Sequence, residues 1–396
     1  MPVFAEPAPR QVWQPVQEYF IHIEPDKERT HVAGTQRLNS FVSYTHLGTD
    51  FGFHGPAEHT IQWTSDEVCA HLGQEPDAWA GIWHSLAGLA REPEKALNFA
   101  AVWPESMSPR HQPRITGVKL AATGRGTIKL EIKDAHQATV WSEAVDLQSL
   151  TQDPKVFPIA AESLPNAKLI TWTAEPGAEI CVSGLRLRVE APAIPFDEYV
   201  LAASYAKLAR SYDPKAGMVK DRGHIDDGTF ESIPATGLFA LATAVVAREP
   251  LEMVSMNHAR ATVQRIHESV KAMKRPRGLL PHFARRSGEG YEIHRGTEYS
   301  TVDTAIYYHS LLLAAQLLND EALRQEILGQ VTQIEFEHLR LPSGYLSHGL
   351  KDDGATLLPH GWSDWGGETV LVMLLENLAR DSAVRRPMQR PGQAWQ

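Results

Sequence analysis

Cysteine is nearly missing from this chain: 396 residues contain two, Cys69 and Cys181. They lie far apart, outside any C-x-x-C and beside no histidine at ligand spacing, which excludes a zinc ribbon or finger. Small buried thiols are the expectation for both. Long apolar runs are missing as well. No segment reaches the ~20 residues of a membrane-spanning helix, and the opening MPVFAEPAPRQVW lacks the basic-then-apolar order of a secretory leader. The compartment therefore stays open: cytoplasmic, or periplasmic or secreted with a leader removed. There is no Lys/Arg run, and the net charge of −10 argues against a nucleic-acid surface and for a neutral or cationic partner. Also absent are G-x-S-x-G, a Walker loop and a dinucleotide fingerprint, so serine-hydrolase, nucleotidase and dehydrogenase readings find no support and no cofactor is expected. The acids around Asp226-Asp227 lack the alternating ligand series of an EF-hand loop, and no metal set is assigned.

What is present is ordinary globular material, 43% hydrophobic and 22% charged. Its two halves follow different periods. Residues 16–67 mix short aromatic and β-branched runs with glycine turns. Trp79, Ile82, Trp83, Leu86 and Leu89 fall at helical spacing and predict an amphipathic helix over Asp77–Arg91. From Ile115 six segments alternate like strands: ITGVKLAA, GTIKLEIKD, ATVWSEAVDL, VFPIAA, AKLITWTA and ICVSGLRLRVEA. They predict a β-sandwich of the jelly-roll kind. Beyond the linker Ala191-Pro192-Ala193-Ile194-Pro195 the pattern turns helical. Helices are expected near Phe196–Tyr212, Ser232–Arg248, Glu252–Met273, Ser300–Leu318, Glu321–Arg340 and Gly367–Arg380. The predicted fold class is thus multidomain β plus α: a β-rich accessory domain over residues 1–190, with strands mainly at 115–190, a helical-hairpin domain over 196–382, and a loosely held tail at 383–396.

The helical half repeats itself. Gly278-Leu279-Leu280-Pro281-His282 recurs as Gly344-Tyr345-Leu346-Ser347-His348, both fitting G-x-L-x-H, and Gly217-Met218-Val219-Lys220-Asp221 is a looser cousin, each roughly sixty residues from the next. A loop and an acid- or hydroxyl-headed helix follow each copy, so stacked helical hairpins would bring several acids to one rim. Asp303 in a first helical turn also suits the helix dipole. Glu298 lies outside the helix and has no such structural reason. Glu368 follows the turn Trp362-Ser363-Asp364-Trp365-Gly366-Gly367, whose aromatic faces are of the kind sugar rings stack on.

At these residues the chain resembles a family. EYSTVDTAIYYHSLLLAAQLL is similar to the Ser-Thr-Val-Asp-Thr-Ala helix start of the glucoamylase-like group, which includes bacterial endo-β-1,2-glucanases and is built as an (α/α) toroid. DRGHIDDGTFESIPATGLFALATAV, GLLPHF and HGWSDWGGETVLVMLL resemble its other landmarks, in the same order, across Phe196–Arg380. The last departs from the family's Gly-Tyr-Asn-Glu-Ala, keeping the acid but not its neighbours. The resemblance implies a glycoside hydrolase cleaving a glucan, with an oligo- or polysaccharide as partner. It implies Glu368 as the acid and Asp303 and Glu298 as the groups that orient sugar hydroxyls; Asp226, Asp227 and Asp364 are candidates for the base. Trp362, Trp365, His282, Tyr299 and Arg295 complete the candidate substrate contacts. A full toroid has about six hairpins and this stretch supplies three, so the N-terminal half or a second copy of the chain is a candidate to close the open side. Three other classes stay open: a polysaccharide lyase recruiting Tyr299, His282 and Arg295, a non-catalytic carbohydrate-binding or assembly protein, and, last, a purely structural pairing module, against which the clustered rim acids speak.

Overall fold

The computed structural model describes residues 16–20, 29–33, 51–54, 59–63, 67–85, 103–104, 106–134, 137–149, 155–159, 167, 169–222, 230–288, 290–364 and 366–380. The chain divides into two units, residues 1–105 with 109–203, and residues 106–108 with 204–396.

The first unit is built of antiparallel strands: β1 (Val16–Phe20), β2 (Arg29–Ala33), β3 (Phe51–His54), β4 (His59–Trp63), β5 (Val68–Leu72), β6 (Ala80–Ser85), β7 (Arg114–Arg125), β8 (Thr127–Lys133), β9 (Thr139–Asp146), β10 (Lys155–Pro158), β11 (Leu169–Ala174) and β12 (Glu179–Glu190). Seven of them form one sheet in the order β10-β7-β12-β5-β4-β2, with β1 pairing β12, and five form another, β3-β6-β11-β8-β9. Period-2 alternation decides which residues go inside. In β12, Ile180, Val182, Leu185, Leu187 and Val189 are buried while their neighbours are not. One apolar cluster takes Val118, Leu120, Ile180 and Leu187 from the larger sheet and Ile82, Leu130, Ile170 and Trp172 from the smaller. Each such side chain contributes roughly 1.5–3 kcal/mol on burial. All six segments read as strands from Ile115 onward are strands.

Two expectations fail in this unit. Of the helix foreseen at Asp77–Arg91, residues 77–85 are instead a turn leading into β6, which lies between β3 and β11 with Ala80, Ile82 and His84 buried, and residues 86–91 lie outside the described residues. Two strand partners satisfy its backbone from both sides, and long-range pairing overrides a spacing that suits either structure. The cysteines are not free: Cys69 and Cys181 are disulfide-bonded. They stand directly opposite each other on β5 and β12, a register that a separation of 112 residues conceals.

In the second unit the repeat takes physical form. The helix α1 (Phe196–Ala209), which joins this unit at Ser204, leads to Gly217. α3 (Met256–Lys271) leads to Gly278, and α5 (Glu321–Val331) leads to Gly344. These glycines have φ of 68°, 80° and 83°, the left-handed region in which a side chain is strained. A short strand and a loop follow each, then α2 (Ile233–Val246), α4 (Thr301–Leu317) and α6 (Glu368–Ala379). α2 lies against α4 and α4 against α6. The first contact is tight because Gly237 lets the backbone of Tyr307 approach; a Cβ there would stand 2.7 Å from Tyr307 Cα.

α2 and α4 begin alike. Ser232 and Ser300 cap them, accepting from the amides of Ala235 (3.4 Å) and Asp303 (3.2 Å). Thr236 and Thr304 donate back to the carbonyls of those serines (2.7 and 2.6 Å) and accept from the amides of Val219 (3.0 Å) and Leu280 (2.9 Å), the third residue of the preceding motif. The first helical amide, on Ile233 or Thr301, donates to the carbonyl of His282 (3.2 Å) or His348 (2.9 Å), the last residue of the next motif. The helix expected to run to Arg340 stops at Val331. Past it the amide of Glu335 is taken by the carbonyl of Arg277 (3.0 Å), and a 3₁₀ turn at Phe336–Leu339 buries both its end residues. No helix among the described residues is long and apolar enough to cross a membrane.

Candidate functional site

Two short strands bring the rim residues together. Leu280–Pro281 pairs with Tyr299–Ser300, which pairs on its other edge with Gly349–Leu350, so two copies of the motif and the start of α4 meet in one small sheet. The amide of His282 donates to the carbonyl of Glu298 (2.9 Å), and this backbone bond holds the two side chains opposite one another. His282 Nδ1 is 3.1 Å from Glu298 Oε1 and 3.7 Å from Asp303 Oδ2. The side chains of His282 and Glu298 are about one third exposed, 34% and 35%, and that of Asp303 is at 10%.

Burial raises the pKa of the Asp303 carboxyl. The Ser300 hydroxyl and His282 draw it down, while Glu298 and Glu368 push it up by repulsion. Glu368 is therefore close enough for its charge to be felt at Asp303, and three acids from separate segments share one region. The helix start does not require this charge. The residue of α2 that stands where Asp303 stands in α4 is Ala235, and its cap is otherwise the same.

Trp362 forms the next part of the rim. Its indole N–H donates to Thr301 Oγ1 (2.8 Å), and the ring of His348 stacks on it with centroids 4.1 Å apart. His360 follows, 6.2 Å from His348. Burial lowers the pKa of His348, His360 adds to the effect, and Glu368 and Asp364 oppose it. Asp364 accepts from the Thr369 hydroxyl at the start of α6, where Glu368 is exposed. Gly367, with φ of 50°, makes no side-chain cap, so α6 opens without the serine found at α2 and α4.

Other candidates lie apart. Arg295 is exposed in a turn beside Gly296, and Tyr299 is buried within the small sheet, its phenol pKa raised by burial and by Asp352. Asp226, Asp227 and Trp365 lie outside the described residues. Sequence reasoning missed a file of half-buried rings: Phe283 stacks on His282 (3.8 Å), Phe230 packs on Phe283 (4.6 Å), and His294 on Phe230 (4.5 Å). The available signal was a phenylalanine directly after the motif histidine. Also missed were Glu231 and Tyr291. Glu231 Oε2 and the Tyr291 hydroxyl are buried without a hydrogen-bond partner, and burial pushes the Tyr291 pKa up to about 12.

No protein-family model and no curated protein matches the chain. Among solved structures it is similar to a β-1,2-glucanase from Parabacteroides distasonis at 11% identity and a TM-score of 0.36, covering 91% of this chain and 64% of that one. The chain thus spans less than two thirds of the glucanase. It is also similar to family 29 carbohydrate-binding modules. One is a point mutant complexed with mannohexaose (11% identity, TM-score 0.25, 41% of this chain and 92% of that one), and another is from Piromyces equi (9%, 0.25, 44% and 90%). Superpositions this loose carry no argument about activity.

Proposed function

We propose that the second unit is the working part of a glycoside hydrolase acting on a glucan of the β-1,2-linked kind. Its helices are read as an open portion of an (α/α) toroid, and the first unit as a jelly-roll sandwich serving as an accessory domain. The observation that supports the reading best is the placement of Asp303. A buried carboxylate stands where the sister helix carries Ala235, facing His282 and Glu298 and feeling the charge of Glu368. A fold-only role does not ask for that charge, whereas glycosidic cleavage needs convergent carboxyls.

In this reading Glu368 protonates the leaving glycosidic oxygen, and Glu298 and Asp303 hold sugar hydroxyls. Asp226, Asp227 and Asp364 are the candidates to activate water. Trp362 and Trp365 offer ring faces to the sugar, and Trp362 is oriented for this by its bond to Thr301. The test is incubation of the protein with a panel of α- and β-glucans, including β-1,2-glucan, with products resolved by size. Glu368→Gln is expected to abolish release while leaving glucan binding intact. Undiminished release by that variant overturns the assignment of the acid. A product carrying a new unsaturated bond indicates a lyase, and binding with no product over long incubation indicates a binding module.

A further inference from the structure

We propose that His282, Glu298 and Asp303 form a divalent-cation site of borderline character, suited to Zn²⁺ or Mn²⁺. The three donor atoms, one imidazole nitrogen and two carboxylate oxygens, lie within 4.8 Å of one another. A tetrahedral ion with bonds of about 2.1 Å has ligands about 3.4 Å apart. The distances from His282 Nδ1, 3.1 Å to Glu298 Oε1 and 3.7 Å to Asp303 Oδ2, bracket that edge. The third edge, between the two carboxylate oxygens, is no longer than 4.8 Å, and the carboxylates would close on an ion along that edge by side-chain rotation.

Three further observations point to a ligand rather than to a structural cluster. Asp303 is 7% exposed, and its Oδ2 faces His282 at 3.7 Å, beyond hydrogen-bond reach. Among the described residues no lysine or arginine forms an ion pair with Glu298 or Asp303, so the one basic side chain facing these two carboxylates is His282, itself a metal-ligating type. The repeat supplies the third, since Ala235 shows that this position of the helix start folds without a carboxylate.

The donor set selects the ion. Calcium and magnesium favour oxygen donors throughout, whereas a mixed imidazole and carboxylate set favours zinc or manganese. The half-open side chains of His282 and Glu298 leave a coordination position toward solvent. If the hydrolase reading holds, that position takes a sugar hydroxyl; this clause rests on that reading, and the ion site itself does not.

The experiment is calorimetric titration of the full chain, stripped with chelator, with ZnCl₂, MnCl₂ and CaCl₂ in separate runs and without sugar. One zinc or manganese ion per chain is expected, with calcium much weaker. Asp303→Ala, which the repeat shows to be compatible with the helix, should weaken binding more than about 100-fold, beyond the loss typical of an outer-shell partner. Glu298→Gln should weaken it likewise, with thermal melting to confirm that each variant is folded. Glu368→Gln should keep the ion while losing glucan cleavage, which separates failure of this site from failure of the hydrolase assignment. Absence of binding by all three ions, or binding that Asp303→Ala leaves unchanged, overturns the proposal.

Discussion

His84 sits next to the end of β6 with 2% of its surface exposed, and burial holds its pKa at about 3, against 6.5 for the free side chain. A depressed histidine contributes stability that is present above its unfolded pKa and is lost as pH falls from 6.5 toward 3, because the unfolded chain binds the proton first. At pH 4 the loss is expected to be roughly 3 kcal/mol relative to pH 7, at about 1.36 kcal/mol per pKa unit. His84→Gln should flatten the acid limb in urea titrations run at both pH values. An unchanged slope between the two would show that His84 is not the group responsible. At this same scale part of the site was legible. Glu298, Asp303 and His282 stand out in the sequence because acid and imidazole types cluster beside a helix start. Trp362 against Thr301 and His348 was not, since one hydrogen bond and one stacked pair across the fold leave no local pattern. Tyr299 shows the opposite error: its residue type suggested substrate contact, but backbone pairing on both edges draws the ring inside.

Among the elements, the glycine that opens each repeat carries a conformational requirement that can be measured. At Gly278 a Cβ would stand 2.7 Å from Ile334 Cα and 2.9 Å from the Gln333 carbonyl, in addition to the strain of φ 80°. Gly296, in the turn before α4, has the same φ of 80° but nothing within 4 Å of the place a Cβ would take. Gly296→Ala is therefore expected to cost about 1 kcal/mol, and Gly278→Ala several times as much, in chemical denaturation. Equal losses would mean that the close approach to Ile334 relaxes freely. The helices were readable because their caps and 3.6-residue period are local signals; the six strands after Ile115 were readable through alternation. The two-residue strands at Leu280–Pro281, Tyr299–Ser300 and Gly349–Leu350 were not, being too short to display any period. Around Ala80–Ser85 the spacing of Trp79, Ile82 and Trp83 suited a helix, and only the distant strands β3 and β11 decided otherwise.

Across the whole molecule the longest covalent closure is the Cys69–Cys181 disulfide, which spans 112 residues. In the chain-entropy account a loop of this size stabilises by about 4–5 kcal/mol, less where the reduced chain keeps residual structure. Reduction, or Cys69→Ser, is expected to lower the melting temperature of the first unit and to speed amide hydrogen exchange along β5 and β12. Unaltered exchange in those strands would show that the sheet holds its register without the bond. Composition foretold two kinds of structure, but it said nothing of this bond, because pairing depends on which strands become neighbours.

The hydrogen bonds at the starts of α2 and α4 reach both ways along the chain: Thr236 and Thr304 look back to Val219 and Leu280, while the first helical amides look forward. Ile233 relies on a carbonyl at His282 and Thr301 on one at His348, so the first turns of α2 and α4 are completed by residues some fifty positions further on. As the polypeptide leaves the ribosome, the first amide of α2 or α4 has only water to bond until the following module emerges. Each later module thereby finishes a helix start that the chain has already made.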